Sequence, residues 1–291
     1  LVVSRHWNAW FDSHALDKGT IKLRKVYRLT CSADTIRTPI WLAIVAFIVL
    51  PTFCWAAVPD PNQPPSDDSP LSAGIGVVYS NGLYKGDSPK TWPIPFFSFR
   101  AGNFYLRGVA AGYELFKYDA LSFDLVAQWR FEGYDHDDSD YLEGMENRRM
   151  TVDAGAKASY RDGFGTSSLT FLTDTLNRYN GQELRFSYDK RFKLTESLSL
   201  TPSVGLSYQS SHLTNYYYGV RSDEARPGRP RYVPGEAYNP FIGIGMAYKL
   251  SQEVSLTGNI RYQLLDDAIT DSPIVEADYR ISAMAGILYK F

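Results

Sequence analysis

Residues 57–291 hold no cysteine, because the chain's two, Cys31 and Cys54, both lie near its start. That excludes a disulfide framework and a thiolate metal site from most of the chain. Histidine is nearly as scarce beyond residue 56, where only His136 and His212 occur, a thin supply for acid–base catalysis. Basic excess is missing too. The formal charge is −2, and no Lys/Arg block follows the N-terminal region, which excludes a nucleic-acid-seeking surface. The apolar run "PIWLAIVAFIVL", Pro39 to Leu50, is shorter than the roughly 20 residues a spanning helix needs.

That run has a different use. It follows the basic stretch "KLRKVYRLT" and precedes "PTFCWAAV", where Cys54 and Ala56 stand at the −3 and −1 positions of a cut between Ala56 and Ala57. Basic, apolar and small-residue regions in this order predict a cleaved secretory signal peptide over residues 1–56, N-terminal extension included. The chain opens on Leu1 and its first methionine is Met145, so translation is expected to start nearer Val26 or Leu29. Seven Lys/Arg and three Asp/Glu precede Ala57, leaving 23 against 29 and a formal charge of −6. Residues 57–70, "AVPDPNQPPSDDSP", carry Pro and Asp without apolar periodicity and read as a disordered periplasmic leader.

From residue 71 onward the pattern is regular. In "LSFDLVAQWRF", Leu121, Phe123, Leu125, Ala127, Trp129 and Phe131 alternate with Ser122, Asp124, Val126, Gln128 and Arg130. Period two means a strand with one apolar and one polar face. The alternation recurs in "RRMTVDAGAKASYR", "ELRFSYDKRF", "SLSLTPSVGLSYQ" and "VSLTGNIRYQLL", and no segment shows helical periodicity. A soluble sandwich would alternate as well. These strands, however, run about 10 to 14 residues, the length of a tilted membrane strand, and their polar faces carry both charge signs at mid-strand, as a wet lumen does. The chain also ends "YRISAMAGILYKF", with apolar residues at every second position, Tyr289 and Phe291 among them. The expected fold of residues 71–291 is therefore all-β: an antiparallel transmembrane β-barrel closed by a C-terminal assembly signal. Eleven strand windows are visible, near 71–80, 92–101, 103–117, 119–132, 148–162, 164–176, 180–193, 196–211, 236–250, 253–266 and 277–291. Single-chain bacterial barrels have even strand numbers, so ten or twelve are expected, twelve the better fit.

Chemistry is sparse. "YDHDDSDY" gathers Asp135, Asp137, Asp138 and Asp140 around His136, yet lacks the glycine and closing glutamate of a calcium loop. A solvated acidic loop accounts for it. His136 has Ser139 near it and His212 follows Ser210 and Ser211, but neither lies in a nucleophile motif. "AGIGVVYSNG" and "GIGIGMAY" sit on strands with no helix following, unlike phosphate loops. No catalytic, cofactor-binding or metal-ligating residue is assigned.

Several fragments taken in order resemble the MipA/OmpV family of outer-membrane proteins. They are "GIGVVYSNGLYKGD", "PIPFFSFRAGNFYLRG", "LEGMENRR", "YYYGVRSDEARPGRPRYVPG", "DSPIVEAD" and "AGILYKF". The resemblance covers the chain from about residue 71. It implies a Gram-negative outer-membrane barrel in contact with lipid, described in some members as a scaffold joining a lytic transglycosylase to a penicillin-binding protein. Other members are described as adhesins or porin-like proteins, and no catalytic residues or cofactor come with the family.

The candidate contact surface is the set of long loops 133–148, 211–236 and 266–276, rich in Arg, Asp, Tyr and Pro. If the scaffold reading holds, these loops are expected in the periplasm. Within them Tyr216, Tyr217, Tyr218, Arg221, Arg226, Arg229, Arg231 and Tyr232 form the candidate partner-binding or plug loop, stiffened by Pro227, Pro230 and Pro234. Two readings of the tyrosine triplet stay open. Read as a strand, it would put Tyr216 and Tyr218 on one face and Tyr217 on the other, with one of the two faces at the headgroup belt; otherwise it anchors the loop that follows.

Overall fold

A computed structural model describes residues 71–291. The predicted signal cut at Ala56 and Ala57 and the leader 57–70 lie outside the described residues. Twelve antiparallel strands form one closed sheet. They are β1 (Ser72–Ser80), β2 (Lys90–Ala101), β3 (Phe104–Arg107), β4 (Ala110–Tyr118), β5 (Leu121–Arg130), β6 (Thr151–Arg161), β7 (Thr166–Asp174), β8 (Gln182–Asp189), β9 (Leu198–Gln209), β10 (Ala237–Lys249), β11 (Val254–Leu264) and β12 (Tyr279–Lys290). Phe192–Lys193 carries β8 onward along β9. Closure comes from β1 pairing with β12, in register from Ser72↔Lys290 to Ser80↔Ser282, so the wall has no free terminal edge.

The even count is met because the window 103–117 holds two strands. Gly108 (φ +55) turns the chain between Arg107 and Ala110, which face each other across a tight hairpin. Positive φ suits glycine, and a Cβ there would come within 3.0 Å of the Phe96 ring.

The faces divide as the alternation demands. Asp124, Arg130, Asp153, Glu183, Ser207 and Arg280 are buried toward the lumen, whereas Ile75, Leu125, Leu169, Phe186, Val204, Ile242 and Ile260 are exposed on the outer wall. Lipid replaces water around that wall, so its apolar exposure is the folded solution. Exposed aromatics fringe both ends: Trp129, Tyr238, Tyr262 and Tyr279 at one, Tyr118, Tyr160, Tyr248, Tyr289 and Phe291 at the other. Tyr289 and Phe291 stack edge to face at 5.2 Å.

The two ends differ. The start of β1 and the end of β12 lie at one end, beside the short turns 102–103, 119–120, 162–165, 194–197 and 250–253. The long connections 81–89, 131–150, 175–181, 210–236 and 265–278 all leave from the other.

Candidate functional site

The tyrosine triplet is helical, which corrects the expectation of a chain without helix. α1 (Ser211–Tyr218) follows β9 directly, and a short α2 (Asp267–Thr270) follows β11. Leu213, Thr214, Tyr217 and Tyr218 are the buried residues of α1, two pairs spaced i, i+4 on one face. Tyr, Thr and Asn are modest helix formers, so burial of this face stabilises the helix more than propensity does. The helix ends at Gly219, whose N–H donates to the Asn215 carbonyl.

Tyr217 and Tyr218 are fully buried, so neither reaches the headgroup level, and the belt is built by the other aromatics named above. Both pack in one apolar cluster with Leu83, Tyr84, Tyr134, Leu142, Met145, Tyr179, Leu213, Val220, Ile269, Ile274 and Val275. Those residues come from all five long connections. The loops thus form an apolar core of their own, a cap across one mouth of the barrel. Burial pushes the Tyr217 and Tyr218 phenols far above their ordinary ionisation range, which keeps them as donors.

The loop after α1 is a small hairpin. Val220 pairs with Tyr232 and Arg226 with Arg229. Its tip, Arg226-Pro227-Gly228-Arg229, places Pro at the second position and Gly at φ +84 at the third, the requirement of a type II turn. Arg229 is 3% exposed and points back into the cap, donating to the carbonyls of Glu224 (2.8 Å), Glu143 (3.1 Å) and Tyr141. Arg148, from the 131–150 loop, grips both oxygens of Glu224 at 2.9 Å and donates to the Tyr216 carbonyl at 2.6 Å. Glu224 also accepts the Arg221 and Glu146 N–H groups at 3.0 Å. Burial alone would raise the Glu224 carboxyl, but those two N–H donors and the Arg148 guanidinium outweigh it and hold the group below the ordinary glutamate range.

Of the remaining candidates, Arg221 pairs with Glu146 and Arg226 donates to the Asp140 carbonyl. Tyr232 donates to the Ala268 carbonyl at 3.0 Å, joining the hairpin to α2. Arg231 is exposed on the crown. The structure therefore gathers seven of the eight predicted loop residues into contacts that build the cap and leaves Arg231 outside it. Arg148 and Glu224 join these loops yet drew no attention in the sequence, where each sits among other charges with nothing to mark it as buried.

Under the cap the lumen is polar and ion-paired. Arg130 meets Glu183 at 2.5 Å, Asp153 at 2.6 Å and Glu132 at 3.0 Å, while Arg280 meets Glu132 at 2.6 Å. Tyr218 Oη accepts from Arg280 at 2.7 Å, and its carbonyl accepts the Ser272 hydroxyl at 2.6 Å. Tyr218 thus links cap to lumen, as does Tyr179, whose hydroxyl donates to Asp153 at 2.6 Å. The two serine–histidine neighbourhoods are engaged in structure: Ser139 Oγ donates to the Lys85 carbonyl at 2.7 Å, and Ser210 Oγ accepts the Gln182 N–H at 2.9 Å. Asp138 is taken by Lys90 and by the Asp135 N–H.

A closed twelve-strand wall with its loops folded into one mouth can be set beside known proteins. A family model described as MltA-interacting protein MipA matches residues 73–291. The chain belongs to this family. It is 30% identical over 225 residues to the MltA-interacting protein of Escherichia coli K12, covering 76% of this chain and 89% of that one. The putative outer membrane protein YiaT of the same strain is 28% identical over 227 residues, covering 77% and 92%. The outer membrane protein OmpV of Vibrio cholerae is 34% identical over 158 residues, covering 54% and 61%. With relatives so named and a barrel fold, this member of the family resides in the outer membrane of a Gram-negative cell.

Proposed function

We propose that the protein is a non-catalytic anchor in the outer membrane that holds a lytic transglycosylase, and through it a penicillin-binding protein, against the inner surface of that membrane. The observation behind this reading is the division of labour between the two ends. The long loops are consumed in a closed cap at one mouth, whereas the short-turn rim at the other is left available to partners. Outer-membrane barrels as a class put short turns in the periplasm and long loops outside. On that rule the docking surface is the rim, not the long loops where the sequence pointed. The name of the relative from Escherichia coli, MltA-interacting protein, supports a transglycosylase as the partner.

The rim offers exposed turns such as Asp162-Gly163-Phe164, with Phe164 74% exposed, and Thr195-Glu196. Capture of the detergent-solubilised barrel with periplasmic murein enzymes tests the idea. The transglycosylase is expected to co-purify at low salt, and F164A combined with E196K is expected to weaken capture at least about tenfold, the effect of removing a hot spot. Failure to recover any murein enzyme at low salt would sink the reading.

A further inference from the structure

The wall has a window. Only Ser98–Ala101 of β2 pair with β3, so Lys90–Phe97 have a strand neighbour on the β1 side alone. The hairpin of β3 and β4 stops at Gly108-Val109, half-way up, and β5 rises beyond it to Trp129 and Arg130. The exposed edge is prepared for this. Phe97 turns its carbonyl toward the hairpin, accepting the Gly108 N–H at 2.7 Å. By the two-residue repeat of a strand, Pro93 and Pro95 turn their nitrogens to the same side. Proline has no N–H to leave unpaired, so two donors that would otherwise face lipid do not exist. Above, Lys90 pairs with Asp138 and closes the top of the opening. Across it the rings of Trp92 and Phe131 meet at 5.8 Å, with Trp129 at 6.2 Å from Phe131.

Beside these rings lies a cavity of about 200 Å³, lined by Trp92, Trp129 and Phe131 together with Arg130, Arg185, Arg261 and Arg280. Three of the arginines are matched: Arg130 and Arg185 by Glu183, Arg280 by Glu132. Arg261 forms no ion pair among the described residues, Glu183 acting on it only from beyond contact, and its guanidinium lies 4.3 Å from the centre of the Phe241 ring. An aromatic entrance leading to one guanidinium that forms no ion pair suits a molecule that is apolar at one end and anionic at the other.

We propose that this window is a lateral binding site for an anionic amphiphile. Its carboxylate or phosphate head would pair with Arg261 in the lumen, and its apolar chain would reach the bilayer by parting the Trp92 and Phe131 rings, which are in contact in the structure. This activity is separate from the anchoring role and stands or falls without it.

Tryptophan fluorescence reads the site directly, because Trp92 and Trp129 are the tryptophans of residues 57–291. The probe is 11-bromoundecanoate, whose bromine quenches on contact, set against its uncharged methyl ester, and the signal followed is the part that W92F removes. The carboxylate is expected to quench that signal saturably and the ester not to do so at the same concentration. R261Q should raise the half-quenching concentration about tenfold, the effect of losing one charge-assisted hydrogen bond, and R261K should recover part of it. Vesicles carrying brominated phosphatidylglycerol separate the sources: quenching there identifies a membrane phospholipid, and quenching by the free acid alone identifies a fatty acid. Equal quenching by acid and ester, or none by any probe, overturns the site. That comparison uses the unsubstituted barrel and holds whatever R261Q does to folding.

Discussion

Tyr217 shows how much one buried side chain does in this molecule. It is fully buried among residues of several connections, and its ring lies 4.8 Å from Tyr216 and 6.0 Å from Tyr179. Truncating a buried aromatic costs about 3–5 kcal/mol. Y217A is therefore expected to make the cap protease-sensitive while the wall persists, seen as early cleavage in residues 210–236 with an unchanged heat-modifiable barrel band. The Arg148–Glu224 pair is the polar counterpart. Removing one partner of a buried pair strands the other at a cost of about 3–5 kcal/mol. R148M should thus destabilise the cap more than R148M combined with E224Q, as thermal melts of the two variants would show. Glu224 also sets an acid limit. Its folded ionisation lies below the ordinary value, so its contribution is complete above the unfolded glutamate value of about 4.3 and is lost as pH falls below it. Proteolysis of the cap should accelerate below that pH, and E224Q should flatten the dependence.

At the scale of elements, strands were legible and helices were not, for a physical reason. A membrane strand must show lipid one face and the lumen the other, so the alternation through Leu121–Arg130 or Tyr279–Lys290 is enforced along its whole length. α1 spans eight residues, too few for its pairs Leu213/Tyr217 and Thr214/Tyr218 to stand out, and tyrosine favours strands as readily. The twelfth strand was hidden because its turn, Arg107-Gly108-Val109-Ala110, is short and partly apolar, without the Asn or Asp that usually marks a hairpin. Of the candidate loop, the residue types were readable and their roles were not: Arg229 and Arg231 look alike in sequence, yet one is buried in the cap and the other exposed. The cap also carries a prediction as an element. In a planar bilayer the intact barrel is expected to stay silent, and replacing 219–236 by a short Gly/Ser linker to give discrete conductance steps.

For the whole molecule, the two ends decide what the barrel can meet. A cap built from all the long connections faces one compartment, and the short-turn rim with both wall termini faces the other. Anchoring a murein enzyme requires that rim in the periplasm. The absence of cysteine from residues 57–291 makes its side measurable with single introduced thiols and a membrane-impermeant maleimide on living cells. R231C on the crown of the cap should label in intact cells, and E196C on the rim only after the outer membrane is permeabilised. Labelling of E196C but not R231C in intact cells would contradict the account.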